Sequence, residues 1–293
     1  MLCHVAGDAI ANNIMMMSSS MDKCFLILEG STDRLLFDKF INQRESQLVP
    51  ANDKEKAVAA IRELNNRRFD KGCAVVDADF ERALGIPSVD DNLFRTDYHD
   101  CEIVMIASKA LTDLVAEWGD SAKIKAIEDL KGKSFREILL DLSLPIGCLR
   151  LASVRNSMKL SFKRKDPVTK KRFPIEFDFV NPLAASIDVD LLAERVAENN
   201  RNKGFSKNDL VQCVSDEMAL TPDVYQVCHG HDTCRILGML LSEHGILSGR
   251  EADGNRIEKL LRCCYQWVYF TTTELRKDLK EWERHRRKTA FAY

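Results

Sequence analysis

Three carboxylates follow directly on short apolar runs. Cys24-Phe25-Leu26-Ile27-Leu28 leads into Glu29-Gly30, and Cys73-Ala74-Val75-Val76 leads into Asp77-Ala78-Asp79. Continuous apolar runs of this kind read as strands covered on both faces. In an open parallel sheet ligands bind outside the carboxyl ends of the strands, so Glu29, Asp77 and Asp79 are expected on one rim. Carboxylates held together repel one another and lose hydration, and a cation relieves both costs. Oxygen ligands suit Mg²⁺ or Mn²⁺, which keep several waters and complete their shell with substrate phosphates. The chemistry of such a rim is metal-assisted attack on a phosphoester, with Glu29 as ligand or acid/base. A plainer reading stands beside it, in which Asp77 and Asp79 are loop residues and Asp33 is a first-turn carboxylate favoured by a helix dipole.

Further groups follow the same logic. In Thr96-Asp97-Tyr98-His99-Asp100-Cys101-Glu102, Glu102 is either a helix-end carboxylate or a further metal ligand or base. Asp100 stands beside it. His99 reads as a donor to a phosphate or to the backbone. Cys228-His229-Gly230-His231-Asp232-Thr233-Cys234 resembles a zinc box, but structural zinc draws its ligand pairs from separated segments. The favoured reading has Asp232 capping the helix that follows and His231 packing back toward the acidic rim. Lys159–Arg172 carries Lys159, Lys163, Arg164, Lys165, Lys170, Lys171 and Arg172 against the single acid Asp166. It is either a solvated face or a track for phosphates. The basic run at Arg284–Lys288 is a second candidate of this kind.

The elements that must carry these groups alternate. Strands are expected at 24–28, 47–50, 73–76 and 92–96, and helices after Gly30, over 54–68 and over 102–117. That order argues for an α/β fold with a parallel sheet flanked by helices. Beyond about residue 120 the pattern is helical, at 122–130, 134–143, 187–200, 206–218, 232–244, 254–268 and 272–287. A β-hairpin over 159–180 interrupts it. The expected organisation is a weakly ordered leader over 1–21, with Met21 as an alternative start, a catalytic domain over 22–118, and a mostly α-helical, basic domain over 119–293.

The 293 residues are 45% hydrophobic and 30% charged, which excludes collagen, a coiled-coil rod and a wholly disordered chain. No apolar run is long enough to span a membrane and no signal-peptide pattern opens the chain. The ten cysteines therefore read as thiols of a cytoplasmic protein. Net charge is −2, but residues 1–118 hold 13 Lys and Arg against 20 Asp and Glu, and residues 119–293 hold 30 against 25. A division of labour is expected from this, with metal at the acidic half and phosphate at the basic half.

An apolar strand ending in EGxxD, here Glu29-Gly30-Ser31-Thr32-Asp33, followed by one ending in DxD, here Asp77-Ala78-Asp79, resembles the Toprim domain of topoisomerases, bacterial primases and nucleases. Together with Thr96–Glu102 and His229-Gly230-His231-Asp232, the series is similar to Toprim proteins that accompany ABC-type ATPases in anti-phage defence. The PARIS effector nuclease typifies that family, once filed as a domain of unknown function. The resemblance runs from about Lys23 to the 240s in short motifs. It implies a Toprim-like sheet with Glu29, Asp77 and Asp79 holding Mg²⁺ or Mn²⁺. It also implies an endonuclease held inactive by its ABC-type ATPase partner and released to cut nucleic acid, with tRNA or other RNA as plausible substrate and DNA not set aside. Ala51-Asn52-Asp53-Lys54 departs from the Gly-rich turn ending in Lys of relatives. A homodimer is the expected free state. Two other readings are carried along, a non-catalytic scaffold subunit of an ATPase complex and a Mg-dependent phosphatase of haloacid-dehalogenase type. The chain holds no GxxxxGK[ST] loop of its own.

Overall fold

The computed structural model describes residues 2–118, 120–166 and 169–292. In chain order the helices are α1 (Leu2–Ser20), α2 (Ser31–Phe37), α3 (Lys54–Asn66), α4 (Cys101–Ala107), α5 (Ala110–Trp118), α6 (Ser121–Lys131), α7 (Phe135–Arg155), α8 (Val189–Asn199), α9 (Lys207–Ala219), α10 (Val224–Val227), α11 (Gly230–Glu243), α12 (Gly254–Cys264), α13 (Trp267–Phe270) and α14 (Glu274–Arg286). The strands are β1 (Cys24–Leu28), β2 (Ser46–Pro50), β3 (Gly72–Val76), β4 (Leu93–Arg95), β5 (Lys163–Lys165), β6 (Arg172–Pro174), β7 (Val180–Asn181) and β8 (Ser186–Ile187). The fold is α/β, as the alternation of patterns requires.

Two compact units divide the chain. The first comprises residues 1–78, 86–101 and 265–293, and the second comprises 79–85 and 102–264. The first is built on a four-stranded parallel sheet in the order β2-β1-β3-β4. Phe25, Ile27, Ala74 and Val76 turn to one face, where they pack with Ala57, Ala60, Ile61 and Leu64 of α3 and with Ala11 and Ile14 of α1. The alternate residues Cys24, Leu26, Leu28, Cys73 and Val75 are buried as well. Both faces are covered, which is why these strands read as unbroken apolar runs. α3 starts where it does because the Asp53 carboxylate accepts from the backbone N–H groups of Glu55 and Lys56, at 2.9 and 3.3 Å.

Residues 2–20 are helix α1 and not the expected weakly ordered leader. Ala11 and Ile14 are fully buried, and Gly7 brings the two helix backbones close. A Cβ on Gly7 would lie 2.5 Å from that of Ala59. The expected border near 118–121 is replaced by the return of the last 29 residues to the first unit. There the Asp97 carboxylate accepts from the N–H groups of Glu274 and Leu275, both at 2.8 Å, and so adds to the cap of α14 that Thr273 provides. Ile41 and Phe291 form an antiparallel bridge.

The second unit is helical with two antiparallel hairpins, β5-β6 and β7-β8. The helix expected over 102–117 is two helices, because the Ser108 hydroxyl accepts from the Ala110 N–H and starts α5 afresh. The helix expected over 134–143 continues through Pro145 to Arg155, and 14 of its 19 residues from Phe135 to Ser153 are buried. Packing there outweighs the donor that proline lacks. In the hairpin expected over 159–180 the paired strands are shorter than that span and lie inside it. Ile175, Phe177 and Phe179 alternate as buried residues outside the ladder.

The partition also revises the charge reading. The first unit holds 18 Lys and Arg against 19 Asp and Glu, and the second holds 25 against 26. Each unit is −1, so the acidic and basic halves of the sequence are not an acidic and a basic body. The returning segment with its Arg284–Lys288 run is what evens the count. Among the described residues no helix is long and apolar enough to cross a membrane.

Candidate functional site

Two of the three expected rim residues, Glu29 and Asp77, stand at neighbouring strand ends in the first unit. β1 lies between β2 and β3, so the chain leaves β1 for one neighbour and crosses back to the other. The crevice outside the carboxyl ends of β1 and β3 is therefore the switch point of the sheet. Leu28 pairs with Val75, and Glu29 and Asp77 leave the two strands almost level. The backbone N–H of Asp77 lies 3.4 Å from Oε2 of Glu29. Asp77 Oδ1 accepts from the Cys101 N–H at 3.1 Å, and Lys54 Nζ donates to the Asp77 carbonyl at 2.7 Å. Thr96 fixes the exit from β3, since its hydroxyl accepts from the Ala78 N–H at 2.9 Å and donates to the Tyr98 carbonyl at 2.7 Å.

An open cleft of about 630 Å³ runs past Glu29, Gly30, Ser31 and Thr32 on one side and Asn52, Asp53, Lys54 and Glu55 on the other. Glu29 and Asp77 are half-buried and offer hard carboxylate oxygens, Glu29 from the cleft wall, although among the described residues these two and Asp79 do not form a group of three close enough to share one ion. That donor set fits Mg²⁺ or Mn²⁺. Lys54 is in the cleft wall and holds the strand end that presents Asp77. Asp33 carries a structural load, because its Oδ2 accepts from the Gly30 N–H at 2.7 Å.

Asp79 stands two residues beyond Asp77, in the segment 79–85 that belongs to the second unit. Its backbone is left-handed, with φ +48°, a conformation that aspartate tolerates better than most residues. His99 and Asp100 are buried, at 2% and 6% exposure.

The remaining sequence candidates fall within the second unit. Asp232 lies in the first turn of α11 but is not its cap, a position held by His229. Arg150 on α7 takes it instead, with Nε 2.7 Å and Nη2 3.2 Å from the two carboxylate oxygens. Burial pushes the Asp232 carboxyl up, but Arg150 and His229 outweigh that and hold it below the usual carboxylate range. His231 places Nδ1 2.6 Å from Oε1 of Glu258 on α12. Glu102 lies 3.6 Å from Nη1 of Arg262, one turn further along α12. Glu258 and Arg262 were not legible as site residues, their only local signal being the four-residue spacing that puts them on one helix face. Of the residues in 228–234, Cys228 and Cys234 are in no group of possible metal ligands among the described residues, whereas His231 is grouped with Glu102 and Glu258.

The basic hairpin presents Lys163, Arg164, Lys170, Lys171 and Arg172 as exposed residues. The Lys165 side chain lies outside the described residues. Arg164 is paired with Glu176 at 2.6 Å, and exposed Phe173 sits among the cations. Burial pushes the thiols of Cys24 and Cys148 up to about 11 and about 12, so both are inert core groups. No family model matches the chain, and no curated protein matches it.

Proposed function

We propose that this chain is a metal-dependent phosphodiester hydrolase, an endonuclease of Toprim type. The observation that supports it is the approach of the Glu29 carboxylate to the Asp77 backbone N–H at the switch point of a parallel sheet, beside an open cleft lined by Glu29 and Lys54. Glu29 and Asp77 would hold Mg²⁺ or Mn²⁺. The ion would polarise the scissile phosphate and lower the pKa of an attacking water. Glu29 would serve as ligand or proton acceptor, while Lys54 and Thr96 fix the strand end that presents Asp77. In keeping with the resemblance, the enzyme would be a cytoplasmic defence effector that acts as a growth-arresting toxin. An ABC-type ATPase would restrain it until released to cut tRNA or other RNA, or DNA. A homodimer is the proposed free state, and ATP hydrolysis would be supplied by the partner.

The phosphatase reading is weaker, because the Asp77 motif follows the third strand of the sheet and not the first. The scaffold reading is separated by one experiment. Purified protein is incubated with Mg²⁺ or Mn²⁺ and mixed RNA and DNA, with and without the neighbouring ATPase. Glu29→Gln should lose cleavage while its circular dichroism and melting curve stay unchanged. Undiminished cleavage by that variant would remove Glu29 from the mechanism, and an inert wild type after ATPase release would favour the scaffold.

A further inference from the structure

We propose that Glu102, His231 and Glu258 form a divalent-metal site inside the second unit, selective for Mn²⁺ or Zn²⁺ over Mg²⁺. The three residues come from α4, α11 and α12, and one ligand atom of each lies within 4.8 Å of the other two. Glu102 and Glu258 are each 7% exposed. Two carboxylates buried side by side are costly unless positive charge joins them. Arg262 supplies one such charge, 3.6 Å from Glu102. With a neutral imidazole the four side chains together carry −1, a charge that favours a bound cation.

The imidazole decides which cation. Oxygen-only sets suit Mg²⁺, and a nitrogen ligand moves preference toward Mn²⁺ and Zn²⁺. The His231 side chain is 62% exposed, so the ion would enter from solvent past the imidazole. Three protein ligands also leave coordination positions open for water or a phosphate oxygen, the pattern of reactive and not of closed structural sites. The competing arrangement is metal-free, with protonated His231 and Arg262 neutralising the two carboxylates as ion pairs. This site does not depend on the nuclease reading, since none of its ligands comes from the β1–β3 rim.

The test uses the full chain carrying Glu29→Gln, Asp77→Asn and Asp79→Asn, which removes every carboxylate assigned to the other metal. After dialysis against chelator, Mn²⁺ is titrated by electron paramagnetic resonance and Zn²⁺ by calorimetry, with melting curves recorded alongside. One equivalent should bind per chain, raise the melting temperature, and persist in excess Mg²⁺. Adding His231→Ala should weaken binding by at least about tenfold, the scale of loss seen when even the outer support of a metal site is removed. His231 is exposed but its Nδ1 meets buried Glu258 at 2.6 Å, so the metal-free melt of that variant is compared with that of its parent. Absence of a bound equivalent, or equal binding by the His231→Ala chain, would overturn the proposal and leave a protonated histidine–glutamate pair. Should His231→Ala disturb the melt, Glu258→Gln read by the same titration decides in its place.

Discussion

Asp232 and Arg150 illustrate what a single buried charge costs. The carboxylate is 5% exposed and faces a guanidinium whose plane also covers the Phe162 ring at 4.1 Å. Removing one partner of such a pair strands the other, at a cost of about 3–5 kcal/mol. Arg150→Met should therefore lower stability by that order, measured by urea unfolding at neutral pH. The pair also has a pH signature. A carboxyl whose folded pKa is depressed stabilises the fold above the unfolded pKa, about 3.9, and loses that contribution as pH falls through the folded value. The gap between wild type and Arg150→Met should thus be full at neutral pH and narrow below about pH 4. A gap that stays constant down to about pH 2 would show that packing on Phe162, and not charge, is what the arginine contributes.

At the scale of elements, the β5-β6 hairpin couples local charge to the proposed substrate. Its base is fixed from α11, since Arg235 lies over the Phe177 ring at 4.3 Å and donates to the Ile175 carbonyl at 3.1 Å. Its outer residues are exposed cations around Phe173, a combination suited to phosphates and a stacked base. Replacing Lys163, Arg164, Lys170, Lys171 and Arg172 with Ser should weaken nucleic-acid binding. For every phosphate that no longer meets a cation, the salt slope should flatten by about 0.7–0.9. Arg164 should contribute least, because Glu176 already neutralises it. Binding measured by fluorescence anisotropy across a salt series checks this. If binding holds while association with the ATPase disappears, the hairpin is a partner surface. If neither changes, it is solvated surface only.

For the whole molecule, the first unit is closed by chain that returns from the far end of the sequence. Tyr265, Phe270, Leu279, Trp282 and Phe291 are all buried, and the Ser46 hydroxyl donates to the Ala290 carbonyl at 2.7 Å. Arg276 and Glu283 form a buried pair at 2.8 Å, and Glu283 also accepts from the Phe291 N–H at 2.9 Å. A chain ending at Cys264 loses all of these. It should melt at a lower temperature and show faster amide exchange in β1 and β3, the strands that present Glu29 and Asp77. Unchanged protection in those strands would mean that the sheet is self-sufficient without α14.

The sequence by itself determined the α/β class, the central strands and the emergence of Glu29 and Asp77 on one rim. These follow from local rules. An apolar pentad needs cover on both faces, and Gly30 and Asp53 mark helix starts within a few residues. Tertiary packing decided what depends on contacts between distant residues. Small side chains on α1 lack a strong amphipathic signal, yet Gly7 and Ala11 fit against α3 and turn an apparent leader into a structural layer. Asp232 looked like a cap, and Arg150, 82 positions away, claimed it. Glu258 and Arg262 carry no motif, and only the packing of α12 brings them to Glu102 and His231. The charge split along the chain vanished because a returning segment mixes its two ends in one unit. Pattern along a chain reports what each residue needs, and only the closed fold determines which distant partner satisfies it.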